Sequence, residues 1–278
     1  MTRTVGHAGT LDPMATGVLL LLAGEATKLS PYLTFERKRY VARVRFGAET
    51  DSFDALGTVV ARAAVPPGGF TAKAIEAALA AEAARTAQVP PAVSAIHVNG
   101  ERAHRLHRRG SAVELAPRPV EVFSLELLDA SETAVVVDLT VSKGYYVRAF
   151  ARDLAEALGT MGHLDALRRV ASGPFHLGEA IAWPPTGNAA LLSVAEAARR
   201  VLPMRVLTED GARRARSGLP LTPTDFADAA LDAENAVAWL TGTGDLVAVG
   251  RQVAPGCYRV VRGFRAPDGA AMQTAPSA

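Results

Sequence analysis

The sequence predicts an α+β protein, with a mixed, largely antiparallel sheet, flanking helices and a small β-rich module at its C-terminal end. Apolar and basic residues alternate in residues 41–46, and alternating patterns recur in residues 120–128 and 133–141. This period of two is typical of strands that bury one face. Residues 71–84 favour a helix instead, and apolar side chains fall on one side of a second helix that begins near Arg148. The two kinds of pattern together predict a sheet packed against helices.

Chain length and composition indicate two globular domains. Of the 278 residues, 49% are hydrophobic and 21% are charged, so each domain can bury a core. We expect a boundary near Leu202, which gives a domain of residues 1–202, a β-rich domain of residues 203–266 and a disordered tail of residues 267–278. The second domain is expected to hold one helix and several short strands, at residues 208–217, 236–240, 245–249 and 258–261.

The sequence also bears on the cellular setting. The longest apolar run, residues 18–23, is too short to span a bilayer, and the N-terminus lacks a signal-peptide pattern. Cys257 is the single cysteine, so it cannot form an intramolecular disulfide and is expected to serve packing. We therefore expect a cytoplasmic protein with no membrane contact. The net charge of +2 argues only weakly for a polyanionic partner, although basic residues outnumber acidic ones in residues 1–50.

Residues 6–17 are the most informative stretch, and we expect a loop there. Three glycines and one proline oppose regular structure, and Pro13 restricts the backbone of Asp12 before it. The apolar run of residues 18–23 follows and is expected to be a buried strand. A carboxylate on a stiff loop beside such a strand can present one reactive group at a rigid site. The alternative is that Asp12 makes an ordinary Asx-type turn.

Two further junctions combine aromatic and basic residues. Tyr40 follows three cations at residues 37–39, and an aromatic ring beside cations is what stacking a nucleobase next to its phosphates requires. The alternative is a solvated outer face of a strand. Residues 142–148 join a strand to a helix through a turn at Gly144. Arg148 stands where its charge opposes the helix dipole, which predicts an anionic partner for it.

A basic finger is predicted after the strand of residues 93–98 and the turn signal Asn99-Gly100. On a helix, the basic side chains at positions 104, 105, 108 and 109 would share one side, which suits contact with phosphates. A solvated helix is the alternative. Residues 163–169 are predicted as a short amphipathic helix with paired arginines.

No metal site is predicted. Residues 49–54 hold three carboxylates, but no histidine accompanies them and their spacing fits no calcium loop. His104 and His107 lack a further suitably placed ligand for zinc. A metal hydrolase that uses His7 and Asp12 has the same weakness, because two ligands are too few.

Taken together, the motifs resemble the TruB-type tRNA pseudouridine synthases. The string from Gly6 to Leu19 is highly specific as a whole. Three segments support it: Gly24-Glu25-Ala26-Thr27-Lys28, Lys38-Arg39-Tyr40 and Ser142-Lys143-Gly144-Tyr145-Tyr146-Val147-Arg148. Residues 102–110 and 163–169 add weaker similarity. The resemblance is dense up to about Gly178 and looser beyond it.

The resemblance implies that uridine 55 in the T loop of tRNA is isomerised to pseudouridine without cofactor or metal. Asp12 would be the nucleophile that attacks the target nucleotide, through the ribose or the uracil ring, while the base detaches, rotates and rejoins through carbon. Arg148 would be its cationic partner. Tyr40 would be the platform for the flipped base, and Tyr146 would pack near the reacting ring and abstract the later proton.

Substrate binding is implied for a further set of residues. His7 would insert into the T loop, Leu167 would close the apolar wall, and Lys28 and Lys143 belong to the matching segments. The fold implied is the pseudouridine synthase fold, in which a thumb of about residues 97–118 clasps RNA. Contacts with the RNA backbone would come from Arg102, Arg105, Arg108 and Arg109. The domain of residues 203–266 would be a PUA-like module that grips the acceptor stem, and we expect a monomer with no protein partner.

The family pattern is not matched everywhere. Relatives carry a strand and a helix before the Asp12 motif, with a Lys-Pro segment, whereas here the motif begins at Gly6. We expect either a start assigned too late or a truncated protein. Tyr145 stands where relatives usually have a smaller residue. A truncated scaffold favours the alternative function, a non-catalytic protein that binds or remodels tRNA.

Overall fold

The computed structural model describes residues 4–34, 37–93, 97–98, 101–102, 115–184, 191–229 and 235–265, with the backbone alone for residues 97–98 and 101–102. Its strands are β1 (Val5–Ala8), β2 (Thr16–Gly17), β3 (Leu20–Ala23), β4 (Arg37–Phe46), β5 (Ala48–Thr50), β6 (Val59–Arg62), β7 (Ala87–Gln88), β8 (His97–Val98), β9 (Glu101–Arg102), β10 (Arg118–Pro119), β11 (Val122–Ala130), β12 (Ala134–Ser142), β13 (Gly162–Ser172), β14 (Phe175–His176), β15 (Met204–Val206), β16 (Val237–Leu240), β17 (Leu246–Ala254) and β18 (Cys257–Gly263). Its α-helices are α1 (Ala72–Ala83), α2 (Val147–Ala157), α3 (Val194–Arg199) and α4 (Glu209–Arg216), and 3₁₀ helices cover Gly24–Tyr32, Leu177–Glu179 and Pro223–Asp225. These elements confirm the predicted α+β class. The predicted tail, residues 267–278, lies outside the described residues.

The chain folds into two compact units. One consists of Thr10–Leu19 and Phe35–Ala180, and the other of Met1–Gly9, Leu20–Thr34 and Ile181–Ala278. We call them the sheet unit and the C-terminal unit. The division into domains of residues 1–202 and 203–266 stays a prediction. Within the described residues, none of the helices is both long and apolar enough to cross a membrane.

The sheet unit is built on a six-stranded sheet. Its order is β11-β12-β4-β13-β14, with β2 also paired to β13. The neighbours run antiparallel, except that β2 is parallel to β13. The predicted largely antiparallel sheet is therefore confirmed, and so are the strands expected at residues 41–46, 120–128 and 133–141.

One face of this sheet forms the core, and its other face carries charges. Along β4, Ala42, Val44 and Phe46 are buried in one cluster with residues of α1 and α2. On the other face of β4, the arginines at positions 39, 43 and 45 form ion pairs with Asp138 and Asp165 of neighbouring strands. The predicted basic outer face is therefore real, and its arginines are largely engaged in cross-strand ion pairs.

The helix predicted at residues 163–169 is wrong, because these residues lie in the middle of β13. A β-bulge at Asp165 explains the misleading pattern. Leu164 pairs with Val44 and Ala166 with Arg43, so the extra residue allows Leu164 and Leu167 to face the core although they are three positions apart. A spacing of three is the signal that indicates a helix in sequence. The paired arginines consequently separate, with Arg168 exposed and Arg169 buried.

The described part of the C-terminal unit contains two separate sheets. Strands β15, β16, β17 and β18 form one sheet, in the order of the chain, which confirms the short strands and the helix predicted for residues 208–261. Trp239 is 1% exposed, and a Cβ atom added to Gly250 would lie 2.1 Å from its ring. Strands β1 and β3 form a hairpin. The predicted buried strand of residues 18–23 is thus buried on one side only, since Leu22 is 6% exposed and Leu21 is 56% exposed.

Candidate active site

Asp12 lies on a short loop between strands β1 and β2. The loop predicted for residues 6–17 is shorter than expected, because its two ends pair with other strands. A turn closes it, in which the Ala15 amide donates to the Asp12 carbonyl at 2.9 Å. The Asp12 side chain is 29% exposed. Its carboxylate is therefore held near the protein surface and remains accessible to a substrate.

Arg148, for which the sequence predicts an anionic partner, contacts the Asp12 carboxylate with two nitrogens. Its Nε donates to Asp12 Oδ2 at 3.2 Å, and its Nη2 lies 3.2 Å from Asp12 Oδ1. This two-point contact fixes the direction of the carboxylate as well as its position. Arg148 stands in the first turn of α2 and is 6% exposed. The helix therefore presents a buried cation to a loop that is 136 residues away in sequence.

Asp54 is a residue of this site that sequence reasoning missed. It is 5% exposed, and its Oδ2 lies 3.8 Å from Arg148 Nε. Its Oδ1 accepts hydrogen bonds from the Ser52 hydroxyl and from the Leu56 amide, while Arg148 Nη1 donates to the Ser52 carbonyl at 3.0 Å. Asp54 therefore shapes a turn within residues 49–54, where the sequence predicts no metal site. Nothing in the local sequence indicates that this turn packs against Arg148.

Tyr40 and Leu167 lie on the core face of the sheet, at 9% and 6% exposure. Burial raises the pKa of the Tyr40 hydroxyl, while a hydrogen bond with Arg169 and the charge of that guanidinium oppose the rise. Arg39, which adjoins Tyr40 in sequence, does not serve it as expected. Arg39 forms a two-point ion pair with Asp138 on the other face, because successive side chains of a strand point to opposite sides. The cation beside the Tyr40 hydroxyl comes instead from β13.

Tyr146 immediately precedes α2 and is half-buried. Gln88 holds its backbone from both sides: the Tyr146 amide donates to Gln88 Oε1 at 2.8 Å, and Gln88 Nε2 donates to the Tyr146 carbonyl at 3.1 Å. Gln88 is 2% exposed. It is a second residue that sequence reasoning missed, and it fixes the strand-to-helix junction two residues before Arg148.

The remaining candidates for substrate binding are placed as follows. His7 is exposed on β1 and Lys28 lies in the 3₁₀ helix Gly24–Tyr32, both in the C-terminal unit. Lys28 Nζ donates to Glu25 Oε2 at 2.6 Å and to the Gly263 carbonyl at 2.9 Å, so it already has partners within that unit. Lys143 is exposed in the turn before α2.

Most of the predicted thumb lies outside the described residues. Arg105, Arg108 and Arg109 lie outside the described residues, as do His104 and His107. The backbone of Arg102 belongs to β9, which pairs with β8 as an antiparallel hairpin. This pairing places residues 101–102 in a strand and not in a helix. The predicted turn at Asn99-Gly100 lies outside the described residues.

The arrangement suits nucleophilic attack by a carboxylate. Asp12 is oriented by Arg148, and the half-buried Met14 and Ala15 that follow it pack against the core cluster that contains Leu167. The charge of Asp12 also contributes to the raised pKa of Tyr40. Among the described residues, histidines, cysteines and carboxylates form no group of three that could hold a metal ion. The residues brought together by the fold are thus Asp12, Tyr40, Arg148 and Leu167, with Asp54 behind them.

Comparison with known proteins identifies the family of this chain. Residues 1–147 match the model of the TruB family pseudouridylate synthase N-terminal domain. The chain is 42% identical over 255 residues to the tRNA pseudouridine synthase B of Paracoccus denitrificans, covering 90% of this chain and 83% of that protein. It is 46% identical over 231 residues to the protein of the same name from Nocardia farcinica, covering 80% and 74%.

Solved structures show the same fold. A structure of an H/ACA RNP bound to a substrate RNA containing 2'-deoxyuridine matches 96% of this chain and 78% of that one, with a TM-score of 0.68 and 21% identity. A Cbf5-Nop10-Gar1 complex matches 90% of this chain and 70% of that one, with a TM-score of 0.64 and 24% identity. The family-model match, the long alignments with relatives above 40% identity and the shared fold lead to one conclusion: this chain belongs to the TruB family of pseudouridylate synthases.

Proposed function

We propose that this chain isomerises uridine 55 in the T loop of tRNA to pseudouridine, with Asp12 as the nucleophile. The observation that carries the proposal is the two-point contact between Asp12 and the buried Arg148. The names of the relatives, tRNA pseudouridine synthase B, support tRNA as the substrate. The family model supports the pseudouridylate synthase reaction.

The reaction moves the bond between ribose and uracil from N1 to C5 of the base, and no atom is added. Asp12 attacks the target nucleotide, at the ribose or the uracil ring, as the bond between the ribose and N1 of uracil breaks. The uracil rotates, and C5 bonds to the ribose in place of N1. The bond to Asp12 breaks again, the proton on C5 is removed, and N1 gains a proton, so the product has the same atoms as the uridine. We assign removal of the C5 proton to Tyr146. Orientation of Asp12 by Arg148 lets its carboxylate meet the substrate in one geometry, which is where enzymes gain much of their rate.

Binding of the substrate is assigned to several groups of residues. Tyr40 and Leu167 would border the uracil, and His7, Lys28 and Lys143 would contact the T stem-loop. The thumb of residues 97–118, with its arginines at positions 102, 105, 108 and 109, would contact the RNA backbone. The module of residues 203–266 would contact the acceptor stem. We further propose a cytoplasmic monomer that acts without cofactor, metal or protein partner.

The test is pseudouridine formation on a T-stem-loop transcript by the unchanged chain and by Asp12→Asn. Release of tritium from C5-labelled uridine reports the reaction directly, since C5 loses its hydrogen. Asp165→Asn is the matched control, because Asp165 also pairs with arginines but on the other face of the sheet. We expect turnover by the unchanged chain and by Asp165→Asn, and a loss of about 10⁴-fold or more for Asp12→Asn.

Two other results would each lead to a different conclusion. Equal, nonzero activity of the unchanged chain and Asp12→Asn would remove Asp12 as nucleophile. Absence of turnover in both, with stem-loop binding retained, would favour the non-catalytic tRNA-binding function. A transcript with cytidine at the target position should yield no product with any variant.

A further inference from the structure

Arg169 is buried in β13 and reaches both ends of the segment that carries Asp12. It is 0% exposed. Its Nε donates to the Val18 carbonyl at 2.7 Å, and its Nη1 donates to the Thr10 carbonyl at 3.3 Å. Thr10 lies two residues before Asp12, and Val18 lies six residues after it. One guanidinium therefore contacts the backbone on both sides of Asp12.

The backbone of Arg169 holds the same segment. Its carbonyl accepts the Val18 amide at 2.9 Å, and residues 168–169 pair in parallel with Thr16 and Gly17. Gly17 has a φ of +97°, and a Cβ atom there would lie 2.1 Å from the Arg169 carbonyl oxygen. Only glycine permits this approach. The side chain and the main chain of one residue thus fix the loop to the sheet.

The guanidinium of Arg169 also reaches Tyr40. The two residues are paired directly across β4 and β13, and Arg169 forms a side-chain hydrogen bond with the Tyr40 hydroxyl. Arginine can serve these acceptors at once because its donors spread in a rigid plane, whereas lysine has one nitrogen at the end of a flexible chain. The buried cation thereby satisfies its donors, as a buried charge must.

We infer that Arg169 is a positioning residue for the reaction, setting the place of the Asp12 loop relative to Tyr40. It acts through the Thr10 and Val18 carbonyls and through the Tyr40 hydroxyl. Arg148 orients the carboxylate itself, whereas Arg169 locates the loop that carries it. The inference rests on the proposed role of Asp12 as nucleophile.

Arg205 in the C-terminal unit supplies a matched control. It is 2% exposed, and its Nε donates to Asp228 Oδ1 at 3.0 Å. Replacing either arginine by lysine disturbs a buried hydrogen-bonded cation. Loss of stability alone should therefore be similar for Arg169→Lys and Arg205→Lys. A change in the chemical step is expected only for Arg169→Lys.

The experiment measures single-turnover rate and affinity for a T-stem-loop transcript, with thermal unfolding of each variant, at a temperature where all variants are folded. We expect Arg169→Lys to lower the single-turnover rate by about 10²-fold with little change in affinity, because a small displacement of a reacting group has an effect of that size. Arg205→Lys should keep the rate. Tyr40→Phe combined with Arg169→Lys should lose less than the product of the two single effects, because both changes remove the same hydrogen bond.

The outcomes separate this inference from the proposed function. If Asp12→Asn is inactive while Arg169→Lys has the single-turnover rate of the unchanged chain, the positioning role is excluded. It is also excluded if the rate losses of Arg169→Lys and Tyr40→Phe multiply fully in the double variant. If Asp12→Asn retains turnover, the proposed function fails first. Should Arg169→Lys not fold, Arg169→Gln, which removes the buried charge and keeps an amide donor, is measured in its place with the same expected result.

Discussion

Two buried arginines, one in each unit, pair with an aspartate and yet have different surroundings. Arg148 and Arg205 are 6% and 2% exposed, and the side chains of Asp12 and Asp228 are 29% and 33% exposed. Arg205 packs against two aromatic rings, with its guanidinium carbon 3.7 Å from the centre of Phe226. Arg148 instead faces a second carboxylate and a backbone carbonyl.

The two aspartates also differ in the partners of their carboxylate oxygens. Asp228 uses one oxygen for Arg205 and the other for the Val206 amide, at 2.7 Å, so both its oxygens serve the local structure. The two Asp12 oxygens both face Arg148. An arginine-aspartate pair is therefore no indication of a reactive site by itself. What distinguishes Asp12 is the loop that carries it and the polar network behind its partner.

The largest effect is expected from Arg148→Met. The change removes the group that orients Asp12 and leaves the buried Asp54 carboxylate without its cation. We expect kcat on a T-stem-loop transcript to fall by about 10²-fold or more, and the free energy of unfolding to fall by about 3 kcal/mol. Steady-state kinetics and urea denaturation measure the two effects. Unchanged kcat in a folded variant would contradict the role of Arg148.

Arg205→Met should lower stability without affecting turnover. The variant loses the contacts with Phe226 and the hydrogen bonds to Asp228. We expect the free energy of unfolding to fall by about 2 kcal/mol, of which the interaction with the rings is a large part. Urea denaturation checks the first expectation, and kcat measured well below the midpoint checks the second. A lower kcat for Arg205→Met would show that Arg205 affects turnover, as Arg148 is expected to do, in spite of its different surroundings.

Asp54→Asn tests the second carboxylate beside Arg148. Asparagine retains an oxygen that can accept the Leu56 amide, but it removes the charge that faces the guanidinium. We expect kcat to fall by about 10-fold, as is common for residues that support a directly acting group. Asp138→Asn is the control, because Asp138 is 9% exposed and pairs with Arg39 on the other face. Equal rates for the two variants would remove Asp54 from the site.

Much of the fold could be predicted because its patterns are local. The alternation in β4, β11 and β12 and the cap of α1, where the Thr71 hydroxyl accepts the Ala74 amide at 3.2 Å, appear directly in short stretches of sequence. Strand β13 could not be predicted in the same way. Its bulge at Asp165 gives a strand the spacing of a helix, and the bulge becomes visible only when the register with β4 is known.

The candidate site was predictable only in part, for a similar reason. A cation in the first turn of a helix, such as Arg148, is favoured by an anion nearby, so the local sequence indicates that Arg148 needs a partner. Gln88 and Arg169 give no such signal. Their partners lie 58 and 151 residues away, and their chemistry is ordinary until the fold encloses them. Residues that react are thus easier to recognise in sequence than residues that hold them in place.

The smallest expected effect concerns two buried tyrosines. Tyr40 and Tyr145 are both 9% exposed. Tyr40 has a hydrogen bond with Arg169, whereas the Tyr145 hydroxyl has no partner among the residues that the structure describes. Burial, with the charge of Glu82, raises the pKa of Tyr145, so it stays protonated at neutral pH. Tyr145→Phe removes an unsatisfied buried group and should raise the free energy of unfolding by about 1 kcal/mol, while Tyr40→Phe should lower it by about 1 kcal/mol. Urea denaturation at neutral pH measures both, and the same sign for the two variants would contradict the difference in hydrogen bonding.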